Sequence, residues 1–362
     1  MKKMAIVEWG APLAFVETNT PVPAGKEILV QTEVCGVCHS DVHVWDGYFD
    51  FGVKGRMRFA DRGAKLPFTL GHEIVGVVVA KGPEASGVEV GRSYIVYPWI
   101  GCGQCVACLR GDELACGQSR SLGLRCDGGY ADHVLVPDAR YLVSYDGLAA
   151  ELACTFACSG ITAWSALKKA APIAVSEWLC VIGAGGVGGA ALQMAISLLK
   201  AKVIVVDIDP RKLRAAEEAG AHAIVDGRAP DAVQKIVSIS GGGPAAIVDF
   251  VGSGDTFTMA IDASRRGGKI VLVGLFGGSA TISPLSIATK LLTVQASYVG
   301  TLDELKEIVG LAQAGRLTSI PTFARPLEEA TQALEELRAG APRPGRSILR
   351  FARGPDATES DG

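Results

Sequence analysis

The chain has 362 residues, more than one hydrophobic core usually organises, so two domains are expected. Hydrophobic residues make up 49% and charged residues 20%, which excludes a disordered chain and is typical of a globular enzyme. A net charge of −3 gives no general attraction for nucleic acid or anionic lipid, so neither is expected as a partner.

The first half of the sequence predicts β structure. In "MKKMAIVEWG" the apolar run before Glu8 is too short for a secretory signal and predicts a first strand. From Met1 to about Cys158, short apolar runs such as "EILVQTEV", "EIVGVVVA" and "SYIVYP" are separated by glycine and proline. The ten cysteines in so long a chain favour metal thiolates in a reducing cytoplasm over a disulfide framework.

The stretch 35–45, "CGVCHSDVHVW", contains two cysteines and two histidines and raises the question of a metal site. A set of Cys38, His72 of "LGHEIVG" and Cys158 of "CSGITAWSALK" would leave a fourth position for water or substrate, as a catalytic zinc requires. Spacing alone does not select these three, because a lone cysteine in an apolar stretch is more often a core residue.

Residues 102–116, "CGQCVACLRGDELAC", have the spacing C-x2-C-x2-C-x7-C. Four thiolates this close in sequence can close a tetrahedron around zinc, and a complete shell leaves no position for substrate. The alternatives are unliganded cysteines and an iron–sulfur cluster, and the ferredoxin-type C-P ending is absent. The predicted structural zinc ligands are Cys102, Cys105, Cys108 and Cys116.

After Cys158 the pattern changes to strands that alternate with helical segments. Six strand candidates with intervening helices predict an α/β fold with a doubly wound parallel sheet: "WLCVIG", "KVIVVD", "HAIV", "AAIVDFVG", "KIVLVG" and "VQASYVG". The uncharged stretch Trp178–Leu199 is long enough to span a bilayer, but the five glycines within Gly183–Gly189 fit a strand-to-helix turn better.

The turn "VIGAGGVGG" places Gly183, Gly185 and Gly188 in G-x-G-x-x-G register after a strand and before a helix, as a dinucleotide pyrophosphate requires. Asp207 ends the next strand, nineteen residues after Gly188, where a carboxylate can accept hydrogen bonds from a ribose. An acidic residue there favours NAD over NADP, although Arg211 and Lys212 follow closely. The alternative is a glycine-rich turn with an N-capping aspartate.

From about Thr301 the sequence predicts two amphipathic helices, "LDELKEIVGLAQAG" and "LEEATQALEELRAG", and a last strand, "RSILRF". The final residues, "RGPDATESDG", are typical of a frayed tail.

The chain resembles a zinc-dependent alcohol dehydrogenase of the medium-chain dehydrogenase/reductase family over nearly its whole length. The resemblance lies in "CGVCHSDVHVW", "GHEIVG", the four-cysteine run, "GGYADHV", "CSGITAWSALK", "GAGGVG" and "GRSIL". It implies a GroES-like β-rich catalytic domain in residues 1–159 and 302–362, and a Rossmann NAD domain in residues 160–301. It also implies a cytoplasmic homodimer or homotetramer with two zinc ions per chain. The implied reaction moves a hydride reversibly between a primary or secondary alcohol and NAD, giving an aldehyde or ketone.

The resemblance also implies roles for single residues. Cys38, His72 and Cys158 hold catalytic zinc, whereas Cys35 is a small buried hydrophobe. Ser40 accepts the alcohol proton and His43 passes it to the surface. Asp41 orients the zinc-bound histidine, Glu73 approaches the metal, and Trp45 and Trp99 line the alcohol pocket. The implied cofactor contacts are His39, Gly183, Gly185, Gly186, Val187, Gly188, Asp207, Lys212, Val273, Gly274, Val299 and Arg346. From the residues alone, Ser40 could instead be a helix N-cap and His43 a solvated surface side chain.

One stretch departs from the simpler family members. Residues 48–66, "YFDFGVKGRMRFADRGAKL", form a longer insertion with the basic residues Lys54, Arg56, Arg58 and Arg62. The insertion could favour an acidic or bulky substrate, or it could be a solvated loop that contacts a neighbouring subunit. Other functions left open are a polyol or hydroxyacyl-CoA dehydrogenase, a zinc-free NADPH quinone or enoyl reductase, and a non-catalytic zinc-binding module.

Overall fold

The computed structural model describes residues 1–317, 320–340 and 345–351, and the predicted frayed tail lies outside these ranges. The first part of the chain is β-rich, as predicted. Its strands are β1 Lys2–Ile6, β2 Ala14–Glu17, β3 Ile28–Gly36, β4 Tyr48–Asp50, β5 Arg56–Arg58, β6 Phe68–Thr69, β7 Glu73–Lys81, β8 Ser93–Val96, β9 His133–Val136 and β10 Leu142–Val143.

Short helices separate these strands and lead into the second part: α1 His39–Asp46, α2 Val106–Leu109, α3 Ala150–Thr155 and α4 Ile161–Ala170. A π-helical turn, Phe156–Gly160, joins α3 to α4 and carries Cys158. Helix α1 begins where the Asp41 carboxylate accepts a hydrogen bond from the backbone N–H of Cys38 (2.9 Å). It ends at Gly47, whose φ of +81° is the left-handed conformation that glycine tolerates.

The second part is a six-stranded sheet whose adjacent strands are all parallel, as predicted from the alternating pattern. Its strands are β11 Trp178–Ile182, β12 Lys202–Asp207, β13 Ala223–Asp226, β14 Ala246–Asp249, β15 Lys269–Leu272 and β16 Thr293–Ala296, in the spatial order β13-β12-β11-β14-β15-β16. The order reverses next to β11, and ligands of doubly wound sheets bind outside the carboxyl ends of the strands at such a point. The helices are α5 Gly186–Met194, α6 Pro210–Glu218, α7 Ala232–Ser240, α8 Gly254–Ala263 and α9 Pro284–Thr289.

The end of the described chain returns to the first part. It contains α10 Leu302–Gln313, β17 Thr322–Pro326, α11 Ala330–Arg338 and β18 Arg346–Arg350. Strand β18 pairs with β3, which also pairs with β7 and β9. The resulting seven-stranded sheet has the order β10-β8-β7-β3-β18-β17, with β9 beside β3. Glu73 at the start of β7 and Arg346 at the start of β18 thereby come together across β3.

The stretch considered above as a membrane span is divided between β11, the glycine turn and α5. No helix in the described ranges is long and apolar enough to cross a membrane. The strands of the parallel sheet are instead packed between helices, and Leu179, Val181 and Val248 are completely buried.

Candidate active site and metal centres

A cleft of about 540 Å³ lies between the two sheets and receives side chains from both. From the seven-stranded side it is lined by Cys38, Ser40 and Trp99, and from the parallel sheet by the glycine turn and the residues after β15. Every predicted cofactor position lines this cleft: His39, Gly183, Gly185, Gly186, Val187, Gly188, Asp207, Lys212, Val273, Gly274, Val299 and Arg346. The fold therefore gathers residues from six separate stretches of sequence into one site.

Four buried side chains form a possible metal centre at the cleft. One ligand atom each of Cys38, His72, Glu73 and Cys158 lies within 4.8 Å of the others. The two sulfur atoms of Cys38 and Cys158 are 3.8 Å apart, which matches the roughly 3.8 Å between two sulfurs of a tetrahedron with Zn–S bonds of about 2.3 Å. His72 Nε2 is buried and has no hydrogen-bond partner among the described residues. These donors fit zinc.

Asp41 fixes the orientation of His72. The ring donates a hydrogen bond from Nδ1 to Asp41 Oδ1 (3.1 Å), which leaves Nε2 as the free donor atom for a metal. The same carboxylate accepts hydrogen bonds from the backbone of Cys38 (2.9 Å) and Gly71 (3.2 Å) and from the Tyr130 hydroxyl (3.3 Å). Asp41 is completely buried, so these contacts replace its hydration and hold it in one position.

The electrostatics of the cluster favour a cation. The hydrogen bond between the two thiols lowers the pKa of Cys38 and raises the pKa of Cys158, and burial raises both, so the negative charge of the pair lies on Cys38. Burial opposes a positive charge on His72, yet the charges of Asp41 and Cys38 raise its pKa well above the usual range. The same anionic groups that retain a proton on His72 would attract a metal ion, which takes the place of that proton on binding.

Glu73 connects the metal centre to the glycine turn through Arg346. The Arg346 guanidinium forms a buried ion pair with Glu73 Oε1, while Glu73 Oε2 has no hydrogen-bond partner within the described residues. Burial raises the pKa of Glu73, and the Arg346 charge counteracts this. The Arg346 side chain also packs against Gly186, where an added Cβ would collide with it. Arg346 therefore lies between the metal centre and the first turn of α5.

In the glycine turn, the backbone at the start of α5 lies as close to the end of β11 as the glycine pattern predicts. A Cβ at Gly188 would overlap the carbonyl oxygen of Gly183, so only glycine allows α5 to pack this close to β11. Asp207 accepts a hydrogen bond from the backbone N–H of Ala184 (2.7 Å) and lines the cleft. Arg211 is paired with Asp209 (2.7 Å), so its charge is partly neutralised beside the ribose position.

The four-cysteine run forms the second possible metal centre. The sulfurs of Cys102, Cys105, Cys108 and Cys116 come together with separations of 3.5, 3.7 and 3.9 Å, again the spacing of a zinc tetrahedron. Backbone N–H groups of Gln104 and Cys105 lower the pKa of Cys102 to about 6, whereas desolvation raises the pKa of Cys108 to about 12, so Cys102 is the favoured thiolate of this pair before a metal binds. None of the four lines the cleft, which fits a structural rather than a catalytic role.

Comparison with known proteins identifies the family. The family model "Alcohol dehydrogenase GroES-like domain" matches residues 24–146, and "Zinc-binding dehydrogenase" matches residues 186–314. An NAD-dependent alcohol dehydrogenase of Sulfurisphaera tokodaii is 38% identical over 93% of this chain and 96% of the relative. The chain belongs to the zinc-dependent alcohol dehydrogenases of the medium-chain family. It is an NAD-dependent enzyme of alcohol oxidoreduction, and its cofactors are zinc and NAD.

Solved structures of alcohol dehydrogenases have the same fold. The crystal structure of the alcohol dehydrogenase from Aeropyrum pernix superimposes with a TM-score of 0.87 at 29% identity, covering 97% of this chain and all of the other. The cobalt- and zinc-bound thermostable alcohol dehydrogenase from Pyrobaculum aerophilum gives a TM-score of 0.82 at 27% identity, with 97% and 99% coverage. The GroES-like fold combined with a six-stranded parallel sheet, expected from the resemblance, is confirmed.

Ser40 and His43, the two residues of the predicted proton path in this alcohol dehydrogenase, both line the cleft. His43 is not fully exposed to solvent, although it was expected at the surface. Ser40 and His43 are three residues apart on α1 and so share one face of the helix. His43 is half-buried, because the Phe49 ring covers it at 5.2 Å and the His39 ring lies 5.2 Å away. Burial, followed by the nearby His39 charge, lowers the pKa of His43 to about 4.

The expectation that Trp45 lines the alcohol pocket is corrected by the geometry of α1. Trp45 follows Ser40 by five residues, which is about 140° around a helix, so the two side chains leave opposite faces. Its ring is in the core, donates from Nε1 to the carbonyl oxygen of Ala11 (2.6 Å), and is covered by the Arg338 guanidinium at 4.3 Å. Trp45 is therefore a packing residue between α1 and α11.

Trp99 lies at the metal end of the cleft, together with residues that sequence reasoning missed. Its ring is 5.3 Å from His72, and its indole N–H donates to the carbonyl oxygen of Ala157 (2.8 Å). Tyr298 stands edge-on to Trp99 at 5.9 Å, and Thr162 is one helical turn after Cys158. Tyr298 follows the carboxyl end of β16, and ligands of doubly wound sheets bind at the carboxyl ends of the strands. This position in the sequence could have identified Tyr298 as a cleft residue.

The basic insertion does not contribute its charges to the cleft. It forms the hairpin β4–β5 and two short turns, and its basic side chains are exposed. The Arg56 guanidinium lies over the Tyr48 ring at 4.1 Å. None of the residues 48–66 lines the cleft, which removes the basis for a direct contact with an acidic substrate.

Proposed function

We propose that this alcohol dehydrogenase oxidises primary or secondary alcohols with apolar, aromatic or bulky substituents, reversibly giving aldehydes or ketones. We further propose a catalytic domain of residues 1–159 and 302–362 and an NAD domain of residues 160–301. The observation that carries the proposal is that the Cys38–His72–Cys158 cluster and the glycine turn open into the same cleft. Metal and dinucleotide can therefore act on one substrate.

The proposed ligands are Cys38, His72 and Cys158 for catalytic zinc and the four cysteines of 102–116 for structural zinc. When bound, zinc supplies a Lewis acid for the alcohol oxygen and NAD supplies the hydride acceptor. Ser40, whose hydroxyl can both accept and donate, would take the alcohol proton, and His43, on the same face of α1, is the proposed group that would receive it on its way to solvent. Asp41 keeps the His72 ring in place while these groups act.

Asp207 is the proposed determinant of NAD preference. Its carboxylate lies in the cleft beside the glycine turn, where it can accept hydrogen bonds from a ribose diol and would repel a 2′-phosphate. The ion pair with Asp209 partly neutralises the Arg211 guanidinium, whose free charge would otherwise favour the 2′-phosphate of NADP. Replacing Asp207 with alanine is expected to weaken NAD use and relax discrimination against NADP, and a wild-type preference for NADP would contradict the assignment.

The walls of the cleft carry aromatic and aliphatic side chains that indicate the substrate class. Trp99, 5.3 Å from His72, and Tyr298, 5.9 Å from Trp99, present aromatic surface to the metal end of the cleft, and Leu275 and Phe276 line the same cleft. A polyol would place several hydroxyl groups against these apolar walls with few hydrogen-bond partners, at a cost in binding. The lining therefore supports an aryl or alkyl alcohol over the polyol alternative.

The test is an initial-rate assay at 340 nm with NAD and the zinc-loaded enzyme. The panel contains benzyl alcohol, 1-phenylethanol, ethanol, a pentitol and a hydroxy acid. We expect the highest kcat/KM for the aryl alcohols, and a selective loss for them in Tyr298→Ala that Tyr298→Phe does not show. A preference for the pentitol or the hydroxy acid would refute the substrate class, and no turnover of any alcohol would refute the proposed reaction.

A homo-oligomer in the cytoplasm is the proposed state of the enzyme. All four residues of β16, at one edge of the six-stranded sheet, are exposed, among them Val294, and the nearby apolar side chains of Leu285 and Leu291 are also exposed. An unpaired edge strand beside apolar surface can pair with the same strand of a second copy. The ten cysteines are all unpaired, which supports a reducing compartment. Sedimentation of the wild type should give a dimer or a tetramer. Val294→Asp, which places a charge on the edge strand, should give a smaller species.

A further inference from the structure

The tip of the hairpin in the insertion contacts the loop that follows β15 of the six-stranded sheet. At its tip, the backbone N–H of Val53 donates to Ser279 Oγ (2.9 Å), in the loop that follows β15. The backbone N–H of Gly278 points back to the carbonyl oxygen of Asp50 at 3.4 Å. The Asp50 carboxylate also accepts from Gly52 N–H (2.7 Å), which closes the tip upon itself. The insertion therefore makes a direct connection between the two parts of the chain.

Two glycines bring the backbones together at this connection. A Cβ at Gly52 would overlap Ser279 Oγ and the carbonyl group of Gly278, and a Cβ at Gly277 would overlap the carbonyl oxygen of Asp50. Gly52 and Gly277 also have φ values of +61° and +91°, which other residues rarely adopt. A larger residue at either position would force the tip and the loop apart.

The loop held by the hairpin forms one wall of the cleft. Gly274, Leu275 and Phe276 line the site, directly after β15. On its far side the loop is attached to the end of β14, because Phe276 N–H donates to Val251 (3.1 Å) and Gly277 N–H donates to Gly252 (3.1 Å). The hairpin supplies the attachment on the near side, so the loop is held from both directions.

The base of the hairpin is anchored to the catalytic machinery. The Phe49 ring contacts His43 at 5.2 Å and Phe59 at 5.3 Å, and Phe59 stacks on Trp9 at 6.3 Å. The backbone N–H of Phe59 donates to the carbonyl oxygen of Gly47, at the end of α1 (2.9 Å). The hairpin thus joins α1, which carries Ser40, to the wall formed by Leu275 and Phe276.

We propose that residues 50–53 are positioning residues that hold the loop 275–279 against the cleft and thereby slow the departure of the dinucleotide. Bound NADH must separate from this wall in order to leave, and the wall moves freely only when the contact with the hairpin opens. The basic side chains take no part in this contact, so the role belongs to the shape of the insertion. The proposal depends on NAD binding and is independent of which alcohol is oxidised.

The chain offers two matched control positions. Gly55 in the same hairpin has a φ of +80° and Gly278 in the same loop has a φ of +91°, yet a Cβ at Gly55 meets nothing within 4 Å and a Cβ at Gly278 meets only a backbone nitrogen at 3.9 Å. Alanine at these positions meets no collision, and at Gly55, where ψ is −170°, it adds at least as much backbone strain as at Gly52. Any difference between the two pairs of variants therefore reports the contact between hairpin and loop.

The experiment measures the rate of NADH dissociation from the zinc-loaded, full-length enzyme by stopped-flow fluorescence. Gly52→Ala and Gly277→Ala should raise that rate at least about fivefold, the effect of one lost hydrogen bond, whereas Gly55→Ala and Gly278→Ala should stay within about twofold of wild type. Steady-state kinetics should show a raised KM for NAD. Equal rates in all four variants, or no change in Gly52→Ala, would overturn the proposal.

Ser279→Ala provides a second route if a glycine variant fails to fold. It removes only the acceptor of the Val53 N–H, so it should accelerate NADH release in the same direction, and Ser279→Thr, which keeps the oxygen, should restore the slower rate. In the Gly52→Ala background Ser279→Ala should have little further effect, because the contact is already lost. Fully additive effects would show that the two residues act separately and would contradict a common contact.

Discussion

At the scale of single residues, the proposed catalytic groups are held by neighbours that leave them little freedom. The His72 ring is buried and tied to Asp41, and Asp41 itself accepts hydrogen bonds from Cys38, Gly71 and Tyr130. Such contacts orient a metal ligand before the metal binds. Ser40 differs, because it is half-buried and lines the cleft where a substrate can reach it.

Replacing Ser40 with alanine is expected to lower kcat by about 10²- to 10⁴-fold, the usual range for loss of a group that transfers a proton. Ser40→Thr keeps the hydroxyl and should retain most of the turnover. NADH affinity, measured by fluorescence titration, should be the same in both variants because the fold of the dinucleotide turn is untouched. Full turnover in Ser40→Ala would contradict the proposed proton path.

Protonation of His43 is expected to destabilise the folded enzyme at low pH. Burial against Phe49 lowers its folded pKa to about 4, below the usual value of 6.5. The unfolded chain therefore binds a proton first, so the stabilising contribution is complete above pH 6.5 and is lost as the pH falls towards 4. Urea midpoints measured between pH 7.5 and 4.5 should fall more steeply for wild type than for His43→Gln, and parallel curves would contradict this environment.

At the scale of elements, the first turn of α5 carries a packing requirement that its sequence already indicates. Gly188 allows the helix to approach β11 because a Cβ would overlap the carbonyl oxygen of Gly183. The next residue, Gly189, is in the same helix, and a Cβ there meets nothing within 4 Å. An alanine at Gly189 therefore reports only the general preference of helices for alanine over glycine. An alanine at Gly188 reports the loss of close packing in addition.

The expected result is that Gly188→Ala lowers the free energy of unfolding by about 1–3 kcal/mol, because the backbone must shift to relieve the overlap. It should also weaken NAD binding, since that shift moves the N–H groups at the start of α5. Gly189→Ala should be neutral or stabilising by up to about 1 kcal/mol. Urea denaturation and NADH titration of the two variants are the measurements, and similar losses in both would show that the overlap is not responsible.

At the scale of the whole molecule, the proposed catalytic function depends on joining two sheets, whereas the four-cysteine cluster belongs to one loop. Cys38 comes from the end of β3 and Cys158 from the turn before α4, while the dinucleotide turn belongs to the parallel sheet. Glu113 attaches the four-cysteine loop to its surroundings by accepting from Gly101 N–H (2.7 Å) and the Tyr141 hydroxyl (2.7 Å). Loss of the two metals should therefore have different consequences.

Cys38→Ala is expected to lose one zinc and all turnover while NADH binding persists. Cys105→Ala should lose the other zinc and lower the thermal stability of the enzyme. Cys35→Ala is the control, because Cys35 is buried beside Gly71 and belongs to neither cluster of possible ligands in the described ranges. Elemental analysis, turnover and thermal melting of the three variants would check this. Loss of zinc from Cys35→Ala with none from Cys38→Ala would contradict the ligand assignment.

Features that depend on residues close together in the chain could be predicted from the amino-acid sequence. The glycine register at 183–188, the four-cysteine spacing and the alternation of strands with helices each reflect a local geometric need, so the six parallel strands and the closed metal cluster could be predicted directly. The open cluster of Cys38, His72 and Cys158 needed family resemblance, because no local pattern connects residues 120 positions apart.

The remaining features depend on contacts between distant segments and required the three-dimensional structure. Trp45 leaves the face of α1 opposite Ser40, Phe49 covers His43, and Tyr298 faces Trp99. The insertion reaches Ser279 rather than the substrate cleft, although its basic composition suggested otherwise. The physical reason is that side-chain direction and contacts between distant segments are set by how whole elements pack, and composition alone carries no information about which surface an exposed hairpin meets.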